Sequence, residues 1–117
     1  MTYRYIIPAI PPSNNLYIGR TNFREYQRVK KQWAMLVKSY CKPVPPLPLK
    51  RARVTLLYHF RDRRRRDPDN YSGKMLLDGL VAAGILEDDS FQRIDLVLRS
   101  EYDGTTRTEI IVEDKTC

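Results

Sequence analysis

Apolar and polar side chains alternate with a period of two in four segments of the chain. The pattern is clearest in the second segment, where Val54, Leu56 and Tyr58 share one side. Because successive side chains of a β-strand point to opposite faces, such alternation is typical of a strand with one buried face. We therefore expect a sheet of about four strands. The predicted strands are residues 2–10, 53–60, 91–101 and 106–113.

Two other segments carry apolar residues at the spacing of an α-helix. The first runs from Phe23 to Tyr40, where Asn22 and Glu25 resemble a capping box. The second covers residues 70–83 and precedes Gly84, which stands where a left-handed C-terminal cap belongs. The predicted buried stripe of the first helix consists of Tyr26, Val29, Trp33, Leu36, Val37 and Tyr40.

The elements follow the order strand, helix, strand, helix, strand, strand. Asp103 and Gly104, between the last two strands, are typical of a tight hairpin turn. A length of 117 residues suits one domain with a single core. We therefore predict an α+β fold, a mixed sheet of about four strands covered by two main helices, with residues 1–117 forming a single domain.

The charge balance favours an acidic partner. Lys and Arg number 21 against 14 Asp and Glu, so the formal charge is +7 and the pI is near 9.6. Nucleic acid is the first expectation. The chain has no apolar run long enough for a membrane span and no signal peptide, which predicts a cytoplasmic protein. Cys41 and Cys117 are the only cysteines, and we expect both to be reduced thiols.

Residues 63–70, with the sequence RRRRDPDN, place four cations directly against two carboxylates. The arginines are suited to bind the phosphates of a polyanion such as nucleic acid. Pro68 favours an extended Asp67, and in an extended segment Asp67 and Asp69 would project from the same side as hard oxygen ligands for Mg²⁺. The alternative is that Asp69 or Asn70 only caps the second helix.

Two further acids, Asp88 and Asp89, follow the second helix. If that helix packs back on the sheet, its end can return them to the neighbourhood of Asp67 and Asp69, where a divalent ion would offset the local negative charge. The alternative is that these acids only solvate loops. His59 is the sole histidine, and without Cys or His at ligand spacing it is more typical of a strand end than of a zinc ligand.

Three segments of the chain together carry a more specific signal, spread over roughly residues 3–113. They are Pro11-Pro12-Ser13-Asn14-Asn15 with Tyr17, Arg65-Arg66-Asp67-Pro68-Asp69-Asn70, and Asp78-Gly79-Leu80 through Gly84 to Asp88-Asp89. In this order and spacing they resemble the RusA family of Holliday-junction resolvases, found in phages and prophages. The resemblance implies a homodimeric endonuclease that depends on Mg²⁺, which Mn²⁺ can replace, and nicks opposing strands of four-way DNA junctions in recombination and repair. The expected location is the cytoplasm of a bacterial host.

The resemblance also implies the roles of individual residues. The family's catalytic aspartates fall on Asp67, Asp69 and Asp89, which would hold the metal, with Asp88 as an auxiliary acid. Its catalytic lysine falls on Lys74, although the family's lysine stands four positions after the second aspartate and Lys74 stands five after Asp69. The predicted DNA-binding residues are Asn14, Asn15, Arg61, Arg63, Arg64, Arg65 and Arg66.

Two other functions compete with junction resolution. One is a non-catalytic basic DNA-binding protein of phage origin, in which the acids only cap helices and loops. The other is a related nuclease that shares the metal site but acts on flaps or replication forks. Metal-dependent cleavage would distinguish junction resolution from the first alternative, and the preferred shape of the DNA substrate would distinguish it from the second.

Overall fold

The computed structural model describes residues 1–14 and 23–116, which form a mixed four-stranded sheet and two α-helices. This confirms the predicted α+β fold. In chain order the elements are β1 (Thr2–Ile7), α1 (Phe23–Tyr40), β2 (Ala52–Phe60), a 3₁₀ helix (Pro68–Tyr71), α2 (Lys74–Ala82), β3 (Ile94–Tyr102) and β4 (Arg107–Asp114).

The strand order is β1-β4-β2-β3, with β2 and β3 parallel and the other neighbours antiparallel. The prediction of a hairpin at Asp103 and Gly104 is wrong, because β2 lies between β3 and β4. Gly104 has a φ of +79°, so the turn conformation is present, but the turn carries the chain across the carboxyl end of β2. As an inner strand, β2 has one face that is fully buried, with Val54 and Leu56 at 0% exposure.

Helix α1 has the bounds that its apolar pattern predicted. Val29, Trp33 and Val37 are buried, and α1 packs against α2 and β1. The helices approach closely at Gly79, where an added Cβ would lie 2.8 Å from Val37 Cγ2. Tyr40 is 45% exposed, so its place in the predicted buried stripe was wrong.

The second helix begins four residues later than predicted. A 3₁₀ helix at Pro68–Tyr71 comes first, and Gly73, with a φ of +82°, precedes α2 as its N-cap residue. A Cβ at Gly73 would lie 2.1 Å from Leu56 Cδ1, so the close approach to the sheet also requires glycine here. Gly84 has a φ of +81° after α2, which confirms the predicted left-handed cap.

Two expectations from composition concern the cysteines and the membrane. Cys41 is a free, buried thiol, and burial raises its pKa to about 12. Cys117 lies outside the described residues. Within residues 1–14 and 23–116, neither helix is long and apolar enough to cross a bilayer.

Candidate metal centre and nucleic-acid interface

The loop after β2, residues 61–73, is organised by one of its own arginines. Arg66 Nη1 donates hydrogen bonds to the carbonyl oxygens of Asp62 at 3.1 Å and Arg64 at 3.0 Å, and its Nη2 donates to Asp62 Oδ1 at 2.9 Å. The guanidinium also lies 4.1 Å from the ring centre of Phe60. The Arg66 side chain is only 17% exposed, so most of its hydrogen-bonding capacity is used within the protein.

Asp62 is the acidic partner that holds this turn. The backbone N–H of Arg64 and the Arg66 guanidinium, both hydrogen-bonded to its carboxylate, lower the pKa of Asp62. The carboxylate therefore stays ionised and keeps the arginine loop folded back on itself. This contact could not be predicted from the residue pattern, in which Asp62 only interrupts a run of arginines.

Tyr71 anchors the end of the 3₁₀ helix to the sheet. Its ring meets the rings of Phe60 and Tyr58 edge-on, at centroid distances of 5.4 and 5.7 Å. Its carbonyl oxygen accepts a hydrogen bond of 2.8 Å from the Tyr58 hydroxyl, and burial raises the pKa of that hydroxyl, which stays protonated as a donor. The segment that carries the predicted metal ligands is thus attached to β2.

Asp67 and Asp69 lie on this anchored segment, but not in one extended stretch. Asp67 is extended, with φ −97° and ψ 139°, whereas Asp69 lies within the 3₁₀ helix, so the expected strand-like projection of both carboxylates is wrong. Neither Asp69 nor Asn70 caps α2, whose N-cap residue is Gly73. Asp67 Oδ1 accepts a 3.3 Å hydrogen bond from Arg65 Nε, and the Asp69 carboxylate has no hydrogen bond or ion pair with the described residues.

Asn14 ties the beginning of the chain to this segment. Its Nδ2 donates hydrogen bonds to the carbonyl oxygen of Asp69 at 3.0 Å and to Ser72 Oγ at 3.1 Å. The predicted role of Asn14 was DNA binding, and the structure engages its side chain with the protein. Asn15, the neighbouring predicted DNA-binding residue, lies outside the described residues.

Asp88 and Asp89 follow Leu86, which forms a parallel bridge with Leu49, and they precede β3. Their carboxylates have no hydrogen bond or ion pair with the described residues. Because β2 and β3 are parallel, a segment after β2 and a segment before β3 are attached to opposite ends of the strands. Within the described part of the chain, Asp67, Asp69 and Asp89 do not form a set of ligand atoms within 4.8 Å of one another.

Lys74, the predicted catalytic lysine, is the first residue of α2 and is exposed. Its Nζ lies 3.5 Å from Asp78 Oδ2, one helical turn further along. Lys30 Nζ, from α1, lies 3.6 Å from the same oxygen. The Asp78 carboxylate therefore pairs with two lysines, and it would keep its ion pair with Lys30 if the Lys74 ammonium moved away.

Four of the five predicted DNA-binding arginines are exposed. The Arg65 side chain is 90% exposed, and the Arg63 guanidinium lies 5.6 Å from the ring centre of Tyr102. A cleft between the loop and β3 is lined by both Asp67 and Arg99, and the sequence pattern did not single out Arg99. The exposed arginines are Arg61, Arg63, Arg64 and Arg65.

Asp67 and Asp69, which share the anchored loop, are the part of the predicted centre that fits a hard divalent cation, whereas Asp89 is attached at the opposite end of the strands. Asp67, Asp69 and Asp89 offer carboxylate oxygens, the ligands that Mg²⁺ prefers, and only Asp67 among them contacts a charged side chain of the described residues. Mg²⁺ keeps several waters and needs few protein ligands, so a sparse carboxylate set suits it.

A comparison with protein-family models identifies the family of the chain. The model of the endodeoxyribonuclease RusA family matches residues 10–113. The chain belongs to this family. Family membership implies DNA as the partner, an endonuclease activity of the Holliday-junction-resolving type, and a general dependence on divalent metal. No curated protein matches the chain.

Proposed function

We propose that this RusA-family protein is a Mg²⁺-dependent endonuclease that resolves four-way DNA junctions by paired, symmetric nicks in recombination and repair. The observation that carries the proposal is the position of Asp67 and Asp69, on an anchored loop whose neighbours are exposed arginines. Carboxylates that bind metal beside cations that bind phosphate are what a phosphodiester-cleaving site needs. Mn²⁺ is expected to substitute for Mg²⁺.

We assign Asp67 and Asp69 as the metal ligands that share one loop. The roles of Asp89 as third ligand and of Asp88 as auxiliary acid are proposed from the family resemblance, not from proximity in the described chain. A bound Mg²⁺ would supply Lewis-acid stabilisation of the phosphate and an activated water. Asn14 holds the main chain at Asp69, so it positions this ligand. The carboxylates of Asp69, Asp88 and Asp89 have no cationic partner in the described residues to displace before they bind metal.

Lys74 is proposed to meet the negative charge that develops on the phosphate. To do so its ammonium must leave Asp78, which lies at the weak ion-pair distance of 3.5 Å and retains Lys30. Exposed pairs of this kind contribute about 0.3–0.5 kcal/mol, so the rearrangement costs little.

Arg61, Arg63, Arg64 and Arg65 are proposed to bind backbone phosphates. They are exposed, and phosphate contacts give affinity and orientation without base specificity. Arg66 supports them by holding the loop, through the carbonyl of Arg64 and the carboxylate of Asp62.

Paired nicks call for two equivalent sites, which a two-fold homodimer supplies. We therefore propose a homodimer that acts in the cytoplasm of a bacterial host and is encoded by a phage or prophage. Analytical ultracentrifugation at micromolar concentration tests the dimer, and a monomer that still makes paired nicks would contradict the symmetry.

The decisive experiment is a strand-by-strand cleavage assay on four-way junction, flap, fork and linear duplex, with and without Mg²⁺. We expect paired nicks at opposing positions of the junction only when Mg²⁺ is present. Binding without cleavage under any metal would identify the non-catalytic DNA-binding alternative. Preferred cleavage of flaps or forks would keep the metal site and change the substrate.

A further inference from the structure

The carboxyl end of β2 holds a second group of possible metal ligands, which shares no residue with the loop of Asp67 and Asp69. His59, the penultimate residue of β2, is 3% exposed. In the sheet it lies opposite Glu101 of β3 and Arg107 of β4. The connection from β3 to β4 crosses over this strand end and brings Asp103 against the imidazole.

The ligand atoms of this group have the spacing of a coordination site. His59 Nδ1 is 2.9 Å from Asp103 Oδ2 and 3.7 Å from Glu101 Oε2. One ligand atom from each of the three residues lies within 4.8 Å of the others. Ligand atoms around a tetrahedral ion with bonds of about 2.0–2.1 Å are about 3.3–3.4 Å apart, between the two distances to Nδ1.

The other ring nitrogen of His59 is an independent observation. Nε2 is buried and has no hydrogen-bond partner in the described residues. Glu109 Oε2 lies 3.8 Å from Nε2, and the Glu109 side chain is only 16% exposed. Metal-ligating histidines usually donate their second ring N–H to a carboxylate, and an ion on Nδ1 would place the proton on Nε2, facing Glu109.

We propose that His59, Glu101 and Asp103 bind a divalent transition-metal ion of the Zn²⁺ class, with the Glu109 carboxylate near the second ring nitrogen of the histidine. One imidazole nitrogen with two carboxylate oxygens suits Zn²⁺ or its neighbours in the series, whereas Mg²⁺ is bound through oxygen alone. Three protein ligands leave a fourth position for water. The site is independent of the proposed cleavage chemistry.

Other charged groups around the histidine are compatible with an ion. Arg107 Nη1 lies 3.0 Å from Asp103 Oδ2, and a carboxylate oxygen has two lone pairs, so that atom can accept this hydrogen bond and bind metal together. The Thr105 hydroxyl and N–H donate to Oδ1 and leave Oδ2 toward the histidine. Arg4 Nε lies 3.8 Å from Glu109 Oε1, which leaves Oε2 for the ring.

The same Thr105 contacts hold the carboxylate in its ionised form. The Thr105 hydroxyl first, then its N–H and the contacts with His59 and Arg107, lower the pKa of Asp103. A ligand that is already deprotonated needs to release no proton when it binds a cation.

The consequence of an ion here would be structural. Tyr102 lies between two of the ligands in sequence, and the Arg63 guanidinium packs over its ring at 5.6 Å. An ion would fasten the β3–β4 connection to β2 and thereby stiffen the surface on which the arginine loop rests. We expect its occupancy to change DNA affinity more than the rate of the cleavage step.

The test is metal binding by the Asp67→Asn/Asp69→Asn double variant in the absence of DNA. Isothermal titration with Zn²⁺ should give one ion per chain, and Co²⁺ should give the visible absorption of a four-coordinate site. Glu101→Gln changes a side chain that is 60% exposed, so it should fold normally, and we expect it to weaken Zn²⁺ binding at least tenfold. Glu113→Gln, an acid outside the group, is the matched control and should bind as the double variant does.

Two results would overturn the proposal and leave the group as a hydrogen-bonded cluster. One is that the double variant does not bind Zn²⁺, and the other is that adding Glu101→Gln to the double variant leaves its Zn²⁺ affinity unchanged. His59→Gln provides a second check, because it removes the nitrogen ligand and should therefore change the visible absorption spectrum of bound Co²⁺. Because no cleavage is measured, a failure here is distinguishable from failure of the proposed endonuclease activity.

Discussion

Asn14 Nδ2 donates a 3.0 Å hydrogen bond to the carbonyl oxygen of Asp69, although the two residues are 55 positions apart in sequence. The same amide reaches Ser72 Oγ at 3.1 Å. These bonds hold the start of the chain against the 3₁₀ helix that carries one of the proposed metal ligands. The contact needs an N–H donor, so a carboxylate or a methyl group in place of the amide would lose it.

We therefore predict that Asn14→Ala lowers the single-turnover cleavage rate about tenfold, which corresponds to about 1.4 kcal/mol of activation free energy. The reason is a less precisely held Asp69. Junction affinity, measured in Ca²⁺ to prevent cleavage, should change less than twofold. Ser72→Ala removes only one of the two acceptors and should cost less than Asn14→Ala. A loss confined to junction affinity would instead make Asn14 a DNA contact, as its sequence context first suggested.

Catalysis and binding should separate at Asp69. Asp69→Asn keeps the size of the side chain but removes a charged ligand, so Mg²⁺-dependent cleavage should fall at least a hundredfold, a barrier increase of about 2.7 kcal/mol. Junction affinity should stay the same or increase, because one negative charge beside the phosphate is removed. Cleavage rates and gel-shift affinities measured on the same junction test both parts. Cleavage at the wild-type rate would remove Asp69 from the metal centre.

Two neighbouring arginines should behave differently. Arg65 is 90% exposed, so Arg65→Ala should weaken binding to every DNA shape and reduce the salt slope by roughly 0.9 for one lost phosphate contact. Arg66 makes three hydrogen bonds within its loop and stacks on Phe60. Arg66→Ala should therefore also lower the free energy of unfolding, by about 1–2 kcal/mol. Equal stability of the two variants in urea titration would contradict the difference.

Lys74→Ala should lower the single-turnover rate at least tenfold, about 1.4 kcal/mol, with little change in junction affinity. Lys30 offers a matched control, because its ammonium contacts the same Asp78 oxygen from α1. If Lys74 acts on the phosphate, Lys30→Ala should cleave at nearly the wild-type rate. A Lys74→Ala rate within twofold of wild type would strike the lysine from the site and leave the aspartates in place.

Gly73 is required for its positive φ and for its close approach to the sheet, whereas Gly104 is required only for its positive φ. Both have positive φ, but a Cβ at Gly73 would lie 2.1 Å from Leu56 Cδ1, whereas a Cβ at Gly104 meets nothing within 4 Å. Gly104→Ala should cost about 1 kcal/mol from backbone strain alone. Gly73→Ala should cost about 3 kcal/mol, because overpacking of the core adds to the same strain. Urea denaturation of both variants measures the difference, and equal losses would mean that Leu56 moves aside freely.

Local patterns in the sequence were sufficient to predict the four strands and two helices, but not the start of α2 or the 3₁₀ helix before it. The bounds of α1 follow from its apolar spacing, and the buried side of β2 follows from the alternation of Val54, Leu56 and Tyr58. Helical and strand periods depend on neighbouring residues, so they can be identified without knowledge of the rest of the chain. The adjacency of the arginines to Asp67 and Asp69 is likewise local in sequence. The family resemblance spans most of the chain, but it depends on residue types and their spacing and so needed no tertiary contact.

Contacts between distant segments were decided by the tertiary structure. The strand order placed β2 between β3 and β4, which turned an expected hairpin into a crossing that brings Asp103 to His59. The bond from Asn14 to Asp69 and the inward use of Arg66 likewise depend on how the loop packs against β2. Residue type alone does not say whether an arginine faces phosphate or its own loop, because the same donors satisfy either acceptor, and only the packed chain selects between them.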